Sequence, residues 1–401
     1  MAGNKKSSFG PGFLVTAAFI GPGTVTSCSL AGAGFGYSLI YALIFATITT
    51  FFLQEMTGRL SLGAGMDLGQ TFRIYSGNRA VRLIIIVLTL SAITFGCAAY
   101  EAGNIIGGSL GLEALTPVSQ KIWVIFISLA AFLILSRKKY KIIEKFLIIL
   151  VFLMSLSFIT TFIIIGPDLR LLLQGLIPTV PNNSGYLILA LIGTTVVPYN
   201  LFLHSSAVKE KWNEKTDIKF IRKDLLVSIG LGGIISIAIV ITAAGAFFGR
   251  NVQIQKGIDM AAQLKPLFGP LTNLLFGLGF FAAGMSSAIT APYAAAYASS
   301  GVLGWKEGKN SSGFKSVWMG VIGIGLIVSL FDLNPIAVII FAQAANGLIL
   351  PFASTFLLFI LNNRKIMGDM KNNLYQNILG GIIIILVSFL GIWNIIRLFM
   401  K

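Results

Sequence analysis

Apolar residues along this chain come in long unbroken runs, separated by short polar stretches rich in Lys, Arg, Asn and Gly. Runs of roughly 18 or more apolar residues predict helices that cross a membrane. Eleven such spans are predicted, at about 12–35, 38–58, 82–109, 120–136, 142–165, 185–208, 224–248, 272–300, 315–331, 335–361 and 377–398. Two of them are interrupted. Gly21-Pro22-Gly23 lies in the middle of the first, and Pro198 lies inside the sixth, in GTTVVPYNLFLHSSAV. Proline removes a backbone donor and clashes with the preceding turn. In lipid, the groups such a break frees have no water to bond, so it is tolerated only inside protein or against a cavity.

Composition strengthens this picture. Of 401 residues, 56% are hydrophobic and 11% charged, and a soluble chain of this length could not hide so many apolar runs. A net charge of +16 raises the question of nucleic acid. The positions of the charges answer it, because most of the 30 Lys and Arg fall in the tail and loops on the N-terminal side of the predicted spans. That asymmetry places the N-terminus in the cytoplasm and the C-terminus outside a cell membrane. Basic runs such as RKKYKIIEK at 137–145 then read as topology signals and lipid-headgroup contacts, and no nucleic-acid partner is expected. The stretch at the start carries no small-residue cleavage site and reads as a full span, not a cleaved signal peptide. Cys28 and Cys97 both lie in apolar spans without metal-ligand spacing or a disulfide framework.

Breaks in spans one and six of an odd count imply a particular all-α architecture. Spans 1–5 (about 12–165) and 6–10 (about 185–361) form two five-helix repeats within one transmembrane domain of residues 1–401. Five is odd, so the second repeat enters from the opposite side, inverted, and span 11 (about 377–398) is an addition. This is the 5+5 arrangement of the LeuT type, with a substrate site at mid-membrane between the broken helices.

Polar groups in the spans sharpen the site. An ionisable group in lipid costs roughly 2.5–3.5 kcal/mol on insertion scales, so each needs a partner or a role. Glu55 has Arg59 four residues on, a helical ion pair. Glu101 in span three and His204, the one histidine of the chain, have no such partner nearby in sequence. His204 can bond a carbonyl freed by the break or carry protons, since it titrates near neutrality. Thr24 and Thr26 stand beside the first break, and Tyr199 and Asn200 at the second. Ser286, Ser287 and Thr290 in span eight read as small residues for close helix packing. Gln343 and Asn346 in span ten are larger, cost more to bury and are better site candidates.

Four stretches together resemble the Nramp family (natural resistance-associated macrophage proteins): GPGTVTS at 21–27, LQEMTGRLSLGAGMDLG at 53–69, VPYNLFLHSSAV at 197–208 and LPFASTFLLFILNNRKIMG at 350–368. The resemblance covers nearly the whole chain. It implies a secondary transporter that takes up divalent metal by alternating access, in symport with protons. In the resembled pattern the first break reads Asp-Pro-Gly-Asn and the second Met-Pro-His-Asn, with Asp, Asn and Met holding the metal. Here Gly21 and Thr24 stand for the Asp and Asn, Val197 for the Met, and Tyr199 for the first His. His204 matches the second His, Gln343 a glutamine of span ten, and Glu101 and Asn104 an Asp and a Glu of span three.

These departures bear on substrate. A dehydrated divalent cation needs oxygen, nitrogen or sulfur ligands, usually with a carboxylate. Glycine and valine offer no side-chain ligand, which leaves backbone carbonyls, Thr24, Gln343 and Asn346. The expected substrate site is therefore Gly21, Thr24, Val197, Tyr199, Gln343 and Asn346, with Thr24 and Gln343 as metal ligands and His204 and Glu101 as proton-coupling groups. Transport of a divalent metal of the manganese, iron or magnesium class is the leading expectation. Transport of a small polar organic solute on the same scaffold is the alternative, since helix N-termini at the breaks favour an anionic group. An enzyme is not expected: there is no CxxC pair or nucleophile elbow, and the Gly-rich run 32–36 lacks the strand of a dinucleotide loop. No cofactor is expected.

Overall fold

The computed structural model describes residues 10–75, 79–137, 141–212, 214–250, 254–305 and 311–399. The polar tail 1–9 and residues 138–140 of the basic run lie outside the described residues. Among the described residues the secondary structure is helical, without strands. In chain order the α-helices are α1 (Pro11–Phe19), α2 (Pro22–Phe35), α3 (Ile40–Ala64), α4 (Leu68–Ile74), α5 (Arg79–Glu113) and α6 (Gln120–Ser136). Then come α7 (Lys141–Ile165), α8 (Leu169–Gln174), α9 (Gly185–Thr195), α10 (Pro198–Lys211), α11 (Ile218–Phe247) and α12 (Lys265–Phe268). The chain ends with α13 (Thr272–Leu303), α14 (Ser312–Leu330), α15 (Pro335–Leu361), α16 (Arg364–Met367) and α17 (Leu374–Phe399).

Each apolar run coincides with one helix or with a pair joined at a break. Among the described residues, seven spans are long and apolar enough to cross a bilayer, or nine when each sharply bent pair counts as one. The 17-residue α6 is a shorter apolar helix. Both interruptions fall at the prolines. Pro22 and Pro198 occupy the first position of the restarted helices α2 and α10. There the missing N–H is one that a helix leaves unbonded anyway, so the proline starts a helix instead of kinking one.

The ends differ from the expected spans where polar residues find partners inside the protein. α3 runs six residues past position 58, because Arg59 and Ser61 are buried and bonded. Arg59 pairs with Glu55 at 3.3 Å, as the spacing predicts. It also donates to Asn372 Oδ1 at 2.7 Å, and to the Met370 carbonyl and Gln376 Oε1 at 3.1 Å. Arg222 of α11 closes on the other Glu55 oxygen at 2.7 Å. One carboxylate therefore ties α3 to α11, and one guanidinium ties α3 to the start of α17. α4 folds inside the loop after α3 behind a capping box of Asp67 and Gln70. Burial pushes the Asp67 carboxyl above the usual carboxylate range. α11 begins six residues before the expected position 224.

The core is built on backbone proximity. α5 packs along α13, α11 along α2, and α15 along α9. Where α5 crosses α13, a Cβ on Gly284 would run into the Gly108 backbone, and one on Gly111 would meet the Gly277 carbonyl at 2.6 Å. Apolar burial gives helices in lipid little reason to associate, so such small-residue contacts carry the packing. Cys28 and Cys97 are free and buried.

Candidate functional site

The two interruptions share a backbone shape. The residue ending the first half-helix is Ile20 at φ −78°, ψ 78° in one case and Val196 at φ −94°, ψ 81° in the other. Each is followed by one extended residue, Gly21 or Val197, and then by proline. Gly21 has φ −124°, a value open to any residue, so backbone conformation does not require glycine there. Space does the selecting: a Cβ on Gly21 would lie 2.8 Å from Ser287 Oγ of α13. A Cβ on Gly23 would overlap the Gln343 amide of α15.

The carbonyls freed by the breaks are met by side chains from several helices. At the first, the Phe19 carbonyl accepts from the Gly21 N–H at 2.9 Å and from the Thr24 hydroxyl. Thr24 Oγ1 is also 2.7 Å from Thr194 Oγ1 of α9, which joins the two broken helices directly. At the second, Thr50 of α3 donates to the Thr195 carbonyl at 3.2 Å, and Asn346 of α15 to the Gly193 carbonyl at 3.4 Å. Gln343 Nε2 donates to Ile339 at 3.3 Å within its own helix.

Several buried polar atoms on and beside these elements have no hydrogen-bond partner among the described residues. They include Gln343 Oε1, Ser287 Oγ, both side-chain polar atoms of Asn200, and the Tyr199 hydroxyl. The structure thus brings Gly21, Thr24, Val197, Tyr199, Gln343 and Asn346 around the two breaks. It assigns Thr24 and Asn346 bonds that hold the breaks in shape, and leaves Gln343 Oε1 open. Among the described residues, no group of three His, Cys, Asp or Glu could hold a metal ion.

Glu101 and His204 are fully buried but face different neighbours. Glu101 on α5 accepts from Asn104 at 3.4 Å and lies against Gly325 of α14, with its second oxygen unpartnered. His204 on α10 faces α3: its Nδ1 lies 3.1 Å from Thr57 Oγ1, and its Nε2 is unpartnered. Thr57 also donates to the Gln54 carbonyl at 2.9 Å, which joins His204 to the α3 backbone.

Three residues escaped the sequence reading. Tyr100, beside Glu101 in the chain, meets the Tyr199 ring edge to face at a centroid distance of 5.6 Å. Nothing local marks it, since an aromatic in a membrane span is ordinarily packing. Asp224 accepts from the Gly10 and Gly12 N–H groups at 2.9 and 2.6 Å and so anchors the start of α1. Its charge at the start of an apolar run was the available signal. Ser287, taken as packing, stands beside Gly21, whereas its neighbour Thr290 bonds back to Ser286 at 2.9 Å.

The fold is that of a transporter with many membrane-crossing helices. It matches the manganese transporter of Eremococcus coleocola at a TM-score of 0.79 and 21% identity, covering 96% of this chain and 85% of that one. It also matches a nucleobase-cation-symport-1 family transporter with bound bromovinylhydantoin at a TM-score of 0.61 and 15% identity, covering 92% and 82%. Residues 12–397 match the family described as natural resistance-associated macrophage protein-like, and the chain belongs to this Nramp family. It is 28% identical to the divalent metal cation transporter MntH of Staphylococcus saprophyticus, over 98% of this chain and 93% of that protein.

Proposed function

We propose that this protein is a secondary transporter that carries a divalent metal cation across the cell membrane by alternating access. The observation that carries the reading is the facing pair of broken helices with unpartnered oxygen donors at the breaks, in a chain whose relatives are named for metal transport. The cation sits between residues 21–24 and 197–200. Gln343 Oε1, Asn200 Oδ1, Ser287 Oγ and the Tyr199 hydroxyl are unpartnered side-chain oxygens at these breaks and are the candidate donors. Without a carboxylate or thioether, these neutral donors suit an ion that keeps part of its water shell. Magnesium dehydrates reluctantly and fits that description, and softer manganese or iron gains less here than at a site with sulfur.

Eleven crossings, in two inverted sets of five plus α17, complete the reading. The similar backbone turn at Ile20 and Val196 supports it. The Lys and Arg distribution puts the N-terminus in the cytoplasm. Movement consists of α1–α2 and α9–α10 rocking against a scaffold that includes α5, α6, α13 and α14. We assign proton coupling to His204, through Nε2, and to Glu101.

Uptake by purified protein in proteoliposomes tests this, with magnesium and manganese in parallel, with and without a pH gradient. Saturable uptake of either ion is expected. No uptake of either by folded protein would overturn the metal reading and turn attention to small polar organic solutes. Retention of full pH-driven uptake in both His204→Ala and Glu101→Gln would remove the proton assignment.

A further inference from the structure

The two faces of the molecule cover the broken helices differently. On the face where α1 begins, a cavity of about 130 Å³ between α1, α10 and α13 is lined by Leu14, Leu203 and Thr290. It shares Ser206, Glu210 and Tyr297 with a larger cavity of about 660 Å³. Thr290 is three residues from Ser287, which stands beside Gly21, so this route ends about one helical turn from the first break. α11 begins on the same face, where Asp224 bonds Gly10, and its 30 residues carry the chain about 45 Å to the opposite face. There the segment ahead of α13 folds inward as a 3-10 helix, Gly257–Leu264. It packs against α13, α11, α5, α7 and α2, with Met260, Ala261, Gln263 and Leu264 buried.

Gln263 is the polar member of that buried set. Its Nε2 donates to Ser29 Oγ of α2 and to the Met260 carbonyl, both at 2.8 Å. Its Oε1 accepts from Thr242 of α11 at 3.2 Å. Both N–H donors and the carbonyl of the amide are therefore used, as a buried amide requires. Ser29 lies about 10 Å along α2 from the break at Pro22. The partners of the 3-10 helix differ in kind. α5 and α13 belong to the scaffold proposed above, and α2 belongs to the broken pair that rocks against it. The Gln263–Ser29 bond crosses that boundary, so it must break when α2 moves. Gly269, at φ 51° and with open space around it, ends the segment at a position where the backbone is free to turn.

We propose that the 3-10 helix Gly257–Leu264 is a lid over the α2 side of the site, latched by Gln263 to Ser29, and that releasing the latch opens this face while the α1 face closes. The proposal rests on the alternating-access reading above and not on the identity of the ion. Its test measures access to the chain and needs no transported ion. A failed metal-uptake assay therefore leaves it standing, and its own failure leaves the metal reading standing.

The test places two reporter cysteines, one at a time, in the full-length protein carrying Cys28→Ala and Cys97→Ala. Leu110→Cys reports the lid, because Leu110 is buried against Gly257 and lines a cavity of about 470 Å³ on that face. Thr290→Cys reports the α1 face. Labelling by a bulky charged maleimide is timed in detergent, where the reagent reaches both faces. Gln263→Ala is expected to speed labelling at position 110 about fivefold and to slow it at position 290, the effect of losing about one net hydrogen bond from one of two states. Ser29→Ala removes only the link to α2 and is expected to move both rates in the same directions by a smaller factor. It decides the matter if Gln263→Ala does not fold. Opposite changes at the two positions separate a latch from a bond that merely holds the fold together. Faster labelling at position 110 without slowing at position 290 means general loosening and overturns the proposal. So does an unchanged rate at position 110.

Discussion

The two breaks begin with a similar backbone turn, at Ile20 and Val196, but are held in different ways. The first is bent by 57° between α1 and α2. It is lined by Gly21 and Gly23, and its freed carbonyl is bonded by Thr24 from its own strand of chain. The second runs through Val196 and Val197 as a single 27-residue span. Just after it the Tyr199 ring packs on Tyr100, and its freed carbonyls are bonded by Thr50 and Asn346 from other helices. The first break is therefore bonded within its own segment and packed tightly against Ser287 and Gln343, and the second is bonded by its neighbours. Thr50 of α3 and Asn346 of α15 hold the second break in shape.

The largest effect is expected at the buried ring beside the second break. Tyr199→Ala removes a buried ring and should cost about 3–5 kcal/mol of stability, read as a fall in thermal unfolding temperature in detergent. Tyr199→Phe keeps the ring and deletes only an unpartnered hydroxyl, so stability should change by less than about 1 kcal/mol. An equal loss in both variants would mean that the hydroxyl, not the ring, fills the role.

The next test compares the bonding. Thr24→Val leaves the Phe19 carbonyl with one donor and breaks the link to Thr194, and should cost about 1–3 kcal/mol. Thr50→Val removes one longer bond to Thr195 and should cost about 1 kcal/mol or less. If Thr50 matters more than Thr24, the first break is not self-bonded in the way described.

The third test adds charge to the first break. Gly21→Asp, combined with Ser287→Ala to clear its Cβ, places a carboxylate at the extended residue between the half-helices. Manganese affinity, measured by calorimetry, should rise by about tenfold or more. No gain would show that the space beside Gly21 does not face the cation.

Much of the scaffold was legible in the chain. Long apolar runs can only be satisfied as helices in lipid, and proline inside them can only start a new helix, so both breaks were marked by Pro22 and Pro198. The Glu55–Arg59 pair was legible too, because helix geometry alone brings residues four apart together. What completes that pair was not. Arg222, Asn372 and Gln376 reach Arg59 and Glu55 from 167 to 317 positions away. The site shows the same division. Gln343 and Asn346 stood out because amides are costly to bury, whereas Tyr100 and Ser287 looked like packing until α10 and α2 were set against them.

The sequence by itself determined that this chain is built of long apolar helices and that two of them are interrupted, at Pro22 and Pro198. Those properties follow from residue type and local order, which do not depend on what lies across the fold. The tertiary structure alone decided which polar groups are consumed in holding the breaks and which stay open. Thr24 bonds the Phe19 carbonyl and Thr194, while Gln343 Oε1 is left without a partner. The reason is physical: a hydrogen bond forms only where a second group comes within about 3 Å. In this chain those second groups come from helices far apart in sequence.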